Sequence, residues 1–271
     1  MSTARPEAAP LTERTPRVVA ARRLLRRRHR DETRRFLAEG PQAVREALSA
    51  AAVVELFATP DALARHPEFL TGTPSVRPIT EKGLASLAET VTPQGVVAVC
   101  RALDLPLTDA LATRPKLVAG LVEARDPGNA GTILRTADAA GADLVWFSDR
   151  SVDPYNGKCV RASAGSLFHV PLGMGGTAPA GIGTLRAAGL AVLAATGTGE
   201  TDLDELIDSG ALARPTAWLF GSEAHGLPDD ALTAADRRVR VPIHGRAESL
   251  NLAAAAAVCL YASARAQRYL A

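Results

Sequence analysis

The stretch Thr216-Ala-Trp-Leu-Phe-Gly-Ser-Glu-Ala-His-Gly226 decides the fold, because a buried strand ends in it and a glycine-bracketed loop begins. An apolar run of this kind is typical of a strand that is covered on both faces of a sheet. Gly221 permits either a positive φ or the close approach of a ligand, and Gly226 permits a second sharp turn. We therefore expect Glu223, between the two glycines, to accept backbone N–H groups or to hold a neighbouring loop in place.

The same order of apolar run, glycine loop and helix extends over residues 116–271. Near-continuous apolar runs that alternate with helices predict an α/β fold with a parallel sheet covered on both faces. The predicted strands are Leu117–Val122, Asp143–Phe147, His169–Leu172, Leu190–Ala195, Ala217–Phe220 and Val239–Ile243.

The chain before this region divides into three parts. Residues 1–16 are predicted to form a disordered tail, and residues 17–105 a smaller α/β domain. Residues 106–115, which contain prolines, are predicted to be a linker. The smaller domain opens with a stripe of arginines, whose planar guanidinium groups suit contacts to phosphates; the alternative is a solvated helix face. The arginines predicted to contact phosphates are Arg22, Arg23, Arg26, Arg27, Arg28, Arg30 and Arg35.

Composition limits the class of protein. The chain has 271 residues, and its apolar fraction of 47% is sufficient for a packed core. The formal net charge of +2 says little about binding partners. No apolar run approaches the ~18 residues that a membrane span needs, and no apolar signal segment opens the chain, so a cytoplasmic protein is expected. The 3 cysteines match neither a disulfide framework nor a metal-ligand spacing, so no metal is expected.

The loop after the first predicted strand of residues 116–271 opens a helix that presents Arg135 near the carboxyl edge of the sheet. Ligands of α/β proteins bind at this edge. The structural alternative is that Asn129 caps the helix and Arg135 pairs with Asp138, three residues further on. Gly128 and Gly131 do not form a dinucleotide fingerprint, which argues against an open-sheet nucleotide-binding enzyme.

The loop after the last predicted strand runs into a long alanine-rich helix. Ser249 is a predicted N-cap for this helix. Leu250, together with Ile243 and Gly221, would form an apolar slot with free backbone groups. A slot of this kind fits a flat heteroaromatic ring.

Taken together and in this order, the three loops resemble the SpoU (TrmH-like) family of RNA ribose 2′-O-methyltransferases, within the knotted SPOUT superfamily. Residues 153–158 and 161–166 also resemble the family, and Phe36-Leu-Ala-Glu-Gly40 resembles its ribosomal-protein-like substrate-binding domain. The residues that carry the resemblance in the three loops are Asn129, Gly131, Arg135, Gly221, Glu223, Gly226, Ser249, Leu250 and Asn251.

The resemblance implies a deep trefoil knot in residues 116–271 that forms a pocket for S-adenosylmethionine, with the domain of residues 17–105 binding RNA. The implied catalytic residues are Asn129, Arg135, Glu223, Ser249 and Asn251. The implied cofactor contacts are Thr196, Gly197, Leu219, Gly221, Val241, Ile243 and Leu250.

The resemblance further implies transfer of a methyl group to a ribose 2′-hydroxyl of RNA, most of all ribosomal RNA, by a homodimer formed through the catalytic domain. A guanidinium stays protonated at neutral pH and is a poor general base, so we expect Arg135 to orient phosphate and to stabilise the developing alkoxide. Two alternatives stay open: a transfer RNA 2′-O-methyltransferase, and a knotted RNA-binding or assembly protein without catalysis.

Overall fold

A computed structural model describes residues 9–71 and 73–269 of the chain. The fold has two compact units, each made of two stretches of chain, so the chain passes between the units three times. The first unit contains the residues up to Ala102 and Tyr155–Phe168, and the second contains Leu103–Pro154 and His169–Ala271. Within the described residues, every helix is too short or too polar to cross a membrane.

The strands of the described residues are numbered in chain order. They are β1 (Arg35–Glu39), β2 (Val53–Ala58), β3 (Val76–Pro78), β4 (Val96–Arg101), β5 (Leu105–Pro106), β6 (Leu117–Leu121), β7 (Leu144–Phe147), β8 (Leu172–Met174), β9 (Ala191–Ala195), β10 (Thr201–Asp202), β11 (Thr216–Phe220) and β12 (Arg237–Arg240).

The helices are numbered in the same way, and short 3₁₀ turns lie between several of them. They are α1 (Pro16–Arg22), α2 (Arg27–Thr33), α3 (Pro41–Ser49), α4 (Pro60–Arg65), α5 (Glu81–Ala85), α6 (Leu107–Ala110), α7 (Pro127–Ala140), α8 (Gly157–Ala162), α9 (Ala178–Ala187), α10 (Leu203–Asp208), α11 (Asp229–Ala234) and α12 (Leu252–Tyr269).

The first unit is built on a four-stranded mixed sheet in the order β1-β4-β2-β3. Strand β4 is antiparallel to both β1 and β2, and β3 is parallel to β2. The stretch Tyr155–Phe168 belongs to this unit because Phe36 of β1 packs against both of its end residues, with ring centroids 4.5 Å from Tyr155 and 5.9 Å from Phe168. This differs from the predicted division, which assigns all of residues 116–271 to one domain.

The second unit is built on an eight-stranded sheet in the order β10-β12-β9-β11-β6-β7-β8-β5, in which all neighbours are parallel. The predicted parallel sheet is therefore confirmed. Its central strands β6, β7 and β11 are buried throughout, as expected for apolar strands covered on both faces. Strand β6 lies between β7 and β11, so the connections on its two sides run in opposite directions across the sheet. Such a switch point leaves a crevice at the carboxyl ends of the strands.

Several predicted boundaries are wrong. The predicted linker, residues 106–115, contains Pro106 of β5 and all of α6. Strand β5 pairs with β8 and forms one edge of the large sheet. Two predicted strands are shifted to β8 and β12. Residues 1–8 of the predicted tail lie outside the described residues, whereas Leu11 forms a parallel bridge with Ile79 and is thereby fixed to the first unit.

Candidate functional site

Three of the predicted catalytic side chains meet at the carboxyl edge of the large sheet. The Nδ2 atom of Asn129 donates a hydrogen bond of 2.7 Å to Oε1 of Glu223, and Nδ2 of Asn251 donates a longer one of 3.4 Å to Oδ1 of Asn129. These bonds join the start of α7, the loop after β11 and the start of α12. Glu223 therefore holds a neighbouring loop, as one of its two predicted roles requires.

The two helices that carry this network are capped by residues other than those predicted. Asp126 caps α7 by accepting a 2.8 Å hydrogen bond from the backbone N–H of Asn129, so the Asn129 side chain is free to face Glu223. Asn251 caps α12 by accepting a 2.9 Å bond from the N–H of Ala253, which excludes Ser249 as the cap because the helix begins only at Leu252. The capping predictions for Asn129 and Ser249 are wrong.

Arg135 is exposed on α7, opposite the buried stripe of the helix. Its guanidinium forms no hydrogen bond or ion pair with any of the described residues. Asp138 is instead bonded to Nδ1 of His169 at 2.8 Å, so the structural alternative in which Arg135 pairs with Asp138 is wrong. A free cation on this helix is available to an anionic substrate.

A cavity of about 460 Å³ lies beside Glu223 and Asn251 and opens between the loops that follow β9, β11 and β12. Leu219 does not line it: its side chain is fully buried in the core of the unit, because neighbours along a strand point to opposite faces, and Phe220 lines the cavity instead. The predicted residues that do line the cavity are Thr196, Gly197, Gly221, Val241, Ile243, Leu250, Glu223, Ser249 and Asn251.

The cavity fits an adenosyl group by its chemistry. Ile243 and Leu250 stand on a loop without helix or strand, with 38% and 39% of their surfaces exposed. Exposed apolar side chains around a cavity with polar groups at one end are typical of a site for a flat ring that carries a charged tail. Sequence reasoning missed Ser222 and Glu248, which also line the cavity and lie inside the two loops that it had selected.

Gly221 is required by the chain itself. A Cβ atom on Gly221 would lie 2.2 Å from the carbonyl carbon and oxygen of Gly226. The loop closes tightly because the N–H of Ser222 donates to the carbonyl of Gly226 at 3.0 Å, and the φ of Gly226 is +68°. Of the two predicted reasons for Gly221, close approach holds, and the group that approaches is the backbone of Gly226 in the same loop.

The arginine stripe of the first unit divides into three classes. Arg27 and Arg28 pair with Asp31 and Glu32 one turn further on. Arg30 is buried and donates to the carbonyls of Leu24 and Leu25, so its predicted RNA contact is wrong. The members that are exposed and form no side-chain bond with any described residue are Arg22, Arg23, Arg26 and Arg35.

A second and larger groove, of about 1270 Å³, runs between α10 and α12 of the second unit. Its wall carries Ile207, Val258 and Tyr261, which are 42%, 42% and 52% exposed. Val241 lines both this groove and the smaller cavity. By contrast, Leu260 of α12 is fully buried within its own unit.

Comparison with known families assigns both parts of the chain. Residues 116–261 match the model of the SpoU rRNA methylase family, and residues 15–98 match that of the MRM3-like substrate-binding domain. The 23S rRNA (guanosine(2553)-2′-O)-methyltransferase RlmP of Bacillus subtilis is 34% identical over 89% of this chain and 92% of its own length.

Solved structures support the same family assignment. The S-adenosylmethionine-bound rRNA methyltransferase of Sinorhizobium meliloti is 34% identical, with a TM-score of 0.81 over 94% of this chain and 97% of its own. The SpoU methyltransferase AviRb of Streptomyces viridochromogenes, in complex with the same cofactor, is 30% identical, with a TM-score of 0.80 over 93% of this chain and 98% of its own.

Proposed function

Because the chain belongs to the SpoU rRNA methylase family and is an S-adenosylmethionine-dependent RNA ribose 2′-O-methyltransferase, we propose that its substrate is 23S ribosomal RNA. The observation that carries the assignment of the site is the joining of Asn129, Glu223 and Asn251 beside a cavity with apolar walls, with a free Arg135 on the helix that opens there. The relative from Bacillus subtilis supports ribosomal over transfer RNA.

The residues of the site have separate tasks. The cofactor supplies an electrophilic methyl group when it is bound. Val241, Ile243 and Leu250 would enclose its adenosyl ring and exclude water. Asn129 and Glu223 fix the two loops against each other, so that the site is formed before the RNA arrives and little reorganisation is needed.

Arg135 would contact the RNA at the reacting ribose. Because a guanidinium stays protonated, it donates hydrogen bonds to a phosphate beside the target hydroxyl and stabilises the negative charge that develops on the 2′-oxygen. Its five donors are all available to the substrate, since no described residue takes them. Ser249 and Asn251, at the mouth of the cavity, complete the polar ring around the hydroxyl.

Methyl transfer to deproteinised 23S ribosomal RNA that lacks the modification tests this proposal. We expect the wild-type protein to label one ribose 2′-hydroxyl, and Arg135→Ala to lower transfer about 100-fold or more, the usual effect of removing a donor from a developing anion. The dissociation constant for S-adenosylmethionine should change less than about twofold, because Arg135 does not line the cavity. Transfer to transfer RNA alone would contradict the substrate, and no transfer at all would favour the RNA-binding alternative.

We also propose that the groove between α10 and α12 binds a second copy of the chain. The groove places Asp204 and Asp208 on α10 opposite Arg265 on α12, around exposed apolar side chains. A surface that carries both charge signs around an apolar centre is complementary to itself under twofold symmetry. The partner would contact Val241, which also lines the cofactor cavity.

Light scattering coupled to size exclusion tests the dimer. We expect twice the chain mass for the wild type and a monomer for Tyr261→Asp, because a buried unpaired carboxylate destabilises an apolar interface. Leu70→Asp, at an exposed apolar residue of the first unit, is the matched control and should stay dimeric. A monomeric wild-type protein would refute the proposal.

We propose three further properties of the protein. The first unit binds RNA through Arg22, Arg23, Arg26 and Arg35, which the match to a substrate-binding domain supports. The loops at the carboxyl edge form the trefoil knot, which the likeness to SpoU structures supports. The protein acts in the cytoplasm, which the ribosomal RNA named for its Bacillus subtilis relative supports.

A further inference from the structure

The contact between His169 and Asp138 has no place in the reaction described above, yet it lies on the helix of Arg135. Asp138 follows Arg135 by three residues on α7. Side chains three apart on a helix are neighbours, and an arginine and an aspartate in these positions attract each other. The chain thus places a carboxylate within reach of the one cation that the reaction needs free.

The structure shows where this carboxylate is held. Oδ2 of Asp138 is 2.8 Å from Nδ1 of His169, which is the residue that returns the chain to the second unit after the stretch Tyr155–Phe168. The side chains of Asp138 and His169 are 31% and 43% exposed, so both can be substituted without opening the core. His169 is the one described residue that binds the Asp138 side chain.

From this geometry we infer that His169 is a positioning residue that keeps Asp138 off Arg135 and so leaves the guanidinium of Arg135 to the RNA. The inference rests on the proposed role of Arg135. Without His169, the freed carboxylate would pair with Arg135 in part of the molecules and would repel a phosphate in all of them. The number of productive enzyme molecules, and not the affinity for the cofactor, would fall.

A structural clamp and a positioning residue predict different results for the two single variants. If the contact only fixes α7, then both His169→Ala and Asp138→Ala lower activity, and the double variant is no more active than His169→Ala. If His169 withholds Asp138 from Arg135, then His169→Ala lowers kcat, Asp138→Ala does not, and the double variant regains the activity lost in His169→Ala. His169→Gln, whose amide can still donate to Asp138, should behave like the wild type.

The experiment is a steady-state methyl-transfer assay of the full chain on 23S ribosomal RNA, with the wild type and these four variants. We expect His169→Ala to lower kcat about two- to fivefold, the range that corresponds to a helical ion pair at the surface. The KM for S-adenosylmethionine and the melting temperature should be the same for His169→Ala and the double variant.

Equal losses in His169→Ala and Asp138→Ala, or no rescue in the double variant, would overturn the inference while the wild type still transfers methyl groups. A wild type without transfer would refute the proposed function itself, and the inference with it.

Discussion

We expect Glu223 to support the reaction by holding a loop in place. Its carboxylate accepts the 2.7 Å hydrogen bond from Asn129 and connects the loop after β11 to α7. Glu223→Ala should lower kcat/KM about tenfold, since a hydrogen bond to a charged group contributes roughly 1.5 kcal/mol where it is not fully buried. Steady-state methyl transfer to RNA measures this loss.

The matched variant is Glu223→Gln, which keeps an oxygen that can accept the bond from Asn129. It should retain activity within about threefold of the wild type, because the neutral bond is weaker but the loop stays in place. If the glutamine variant is as inactive as the alanine variant, the charge of Glu223 and not its contact with Asn129 is what the reaction needs.

We expect the three cysteines to be unreactive in the native protein because they are buried. Cys100, Cys159 and Cys259 are all buried free thiols. Burial raises the pKa of Cys259 to about 12 and raises that of Cys100 as well. Because the thiolate is the reactive form, these two thiols stay protonated and inert near pH 8. A thiol-reactive chromophore should detect none of the three in the native protein and all three in denaturant; a reactive thiol in the native state would contradict this.

At the scale of the element, the loop after β11 depends on a glycine that no side chain can replace. Gly221→Ala would place a methyl group 2.2 Å from the backbone of Gly226, so the loop must open. Since the same loop carries Glu223 and lines the cavity, we expect the dissociation constant for S-adenosylmethionine to rise at least about tenfold, as loss of several ordered contacts would cause. Calorimetric titration of the cofactor measures it.

The control for Gly221→Ala is Gly183→Ala on α9, where an added Cβ meets no atom within 4 Å. This variant should bind the cofactor like the wild type, and alanine in the helix should make it slightly more stable. Unchanged affinity in Gly221→Ala would show that the loop relaxes without disturbing the cavity.

Strands with a clear apolar run were predictable from the sequence. The residues that each strand or side chain contacts in the folded protein were not. The apolar runs predicted β6, β7, β8, β9, β11 and β12 of the large sheet, but not the two-residue strands β5 and β10 at its edges. Which face of β11 meets the core depends on the sheet around it. Leu219 was therefore predicted to contact the cofactor, whereas Phe220 lines the cavity and Leu219 lies in the core. Arg30 was misread because a charge pattern does not reveal carbonyl acceptors, here those of Leu24 and Leu25.

At the scale of the whole molecule, the stretch Tyr155–Phe168 lies in the first unit although both flanking stretches belong to the second. Its residues Cys159, Val160 and Leu167 are buried, and Tyr155 and Phe168 pack on Phe36. A fragment that starts at Leu103 would lack Phe36 and expose these apolar side chains. We expect such a fragment to bind a hydrophobic dye and to aggregate, unlike the full chain.

The control fragment carries Tyr155→Ser, Val160→Ser and Leu167→Ser. It should bind less dye and remain soluble, because the exposed apolar surface is what drives the aggregation. A soluble, dye-free fragment with the original residues would show that the stretch folds back without its partner.

The three passages of the chain between the units also bear on how this architecture can change in evolution. A gene fusion that exchanged everything before Leu103 would carry over the strand with Phe36 but leave Tyr155–Phe168 behind in the recipient, so the two halves of one core would come from different parents. A single recombination breakpoint therefore cannot transplant the substrate-binding unit as a cassette. An exchanged first stretch would keep this core packed only if its counterpart of Phe36 fits the Tyr155 and Phe168 counterparts of the recipient.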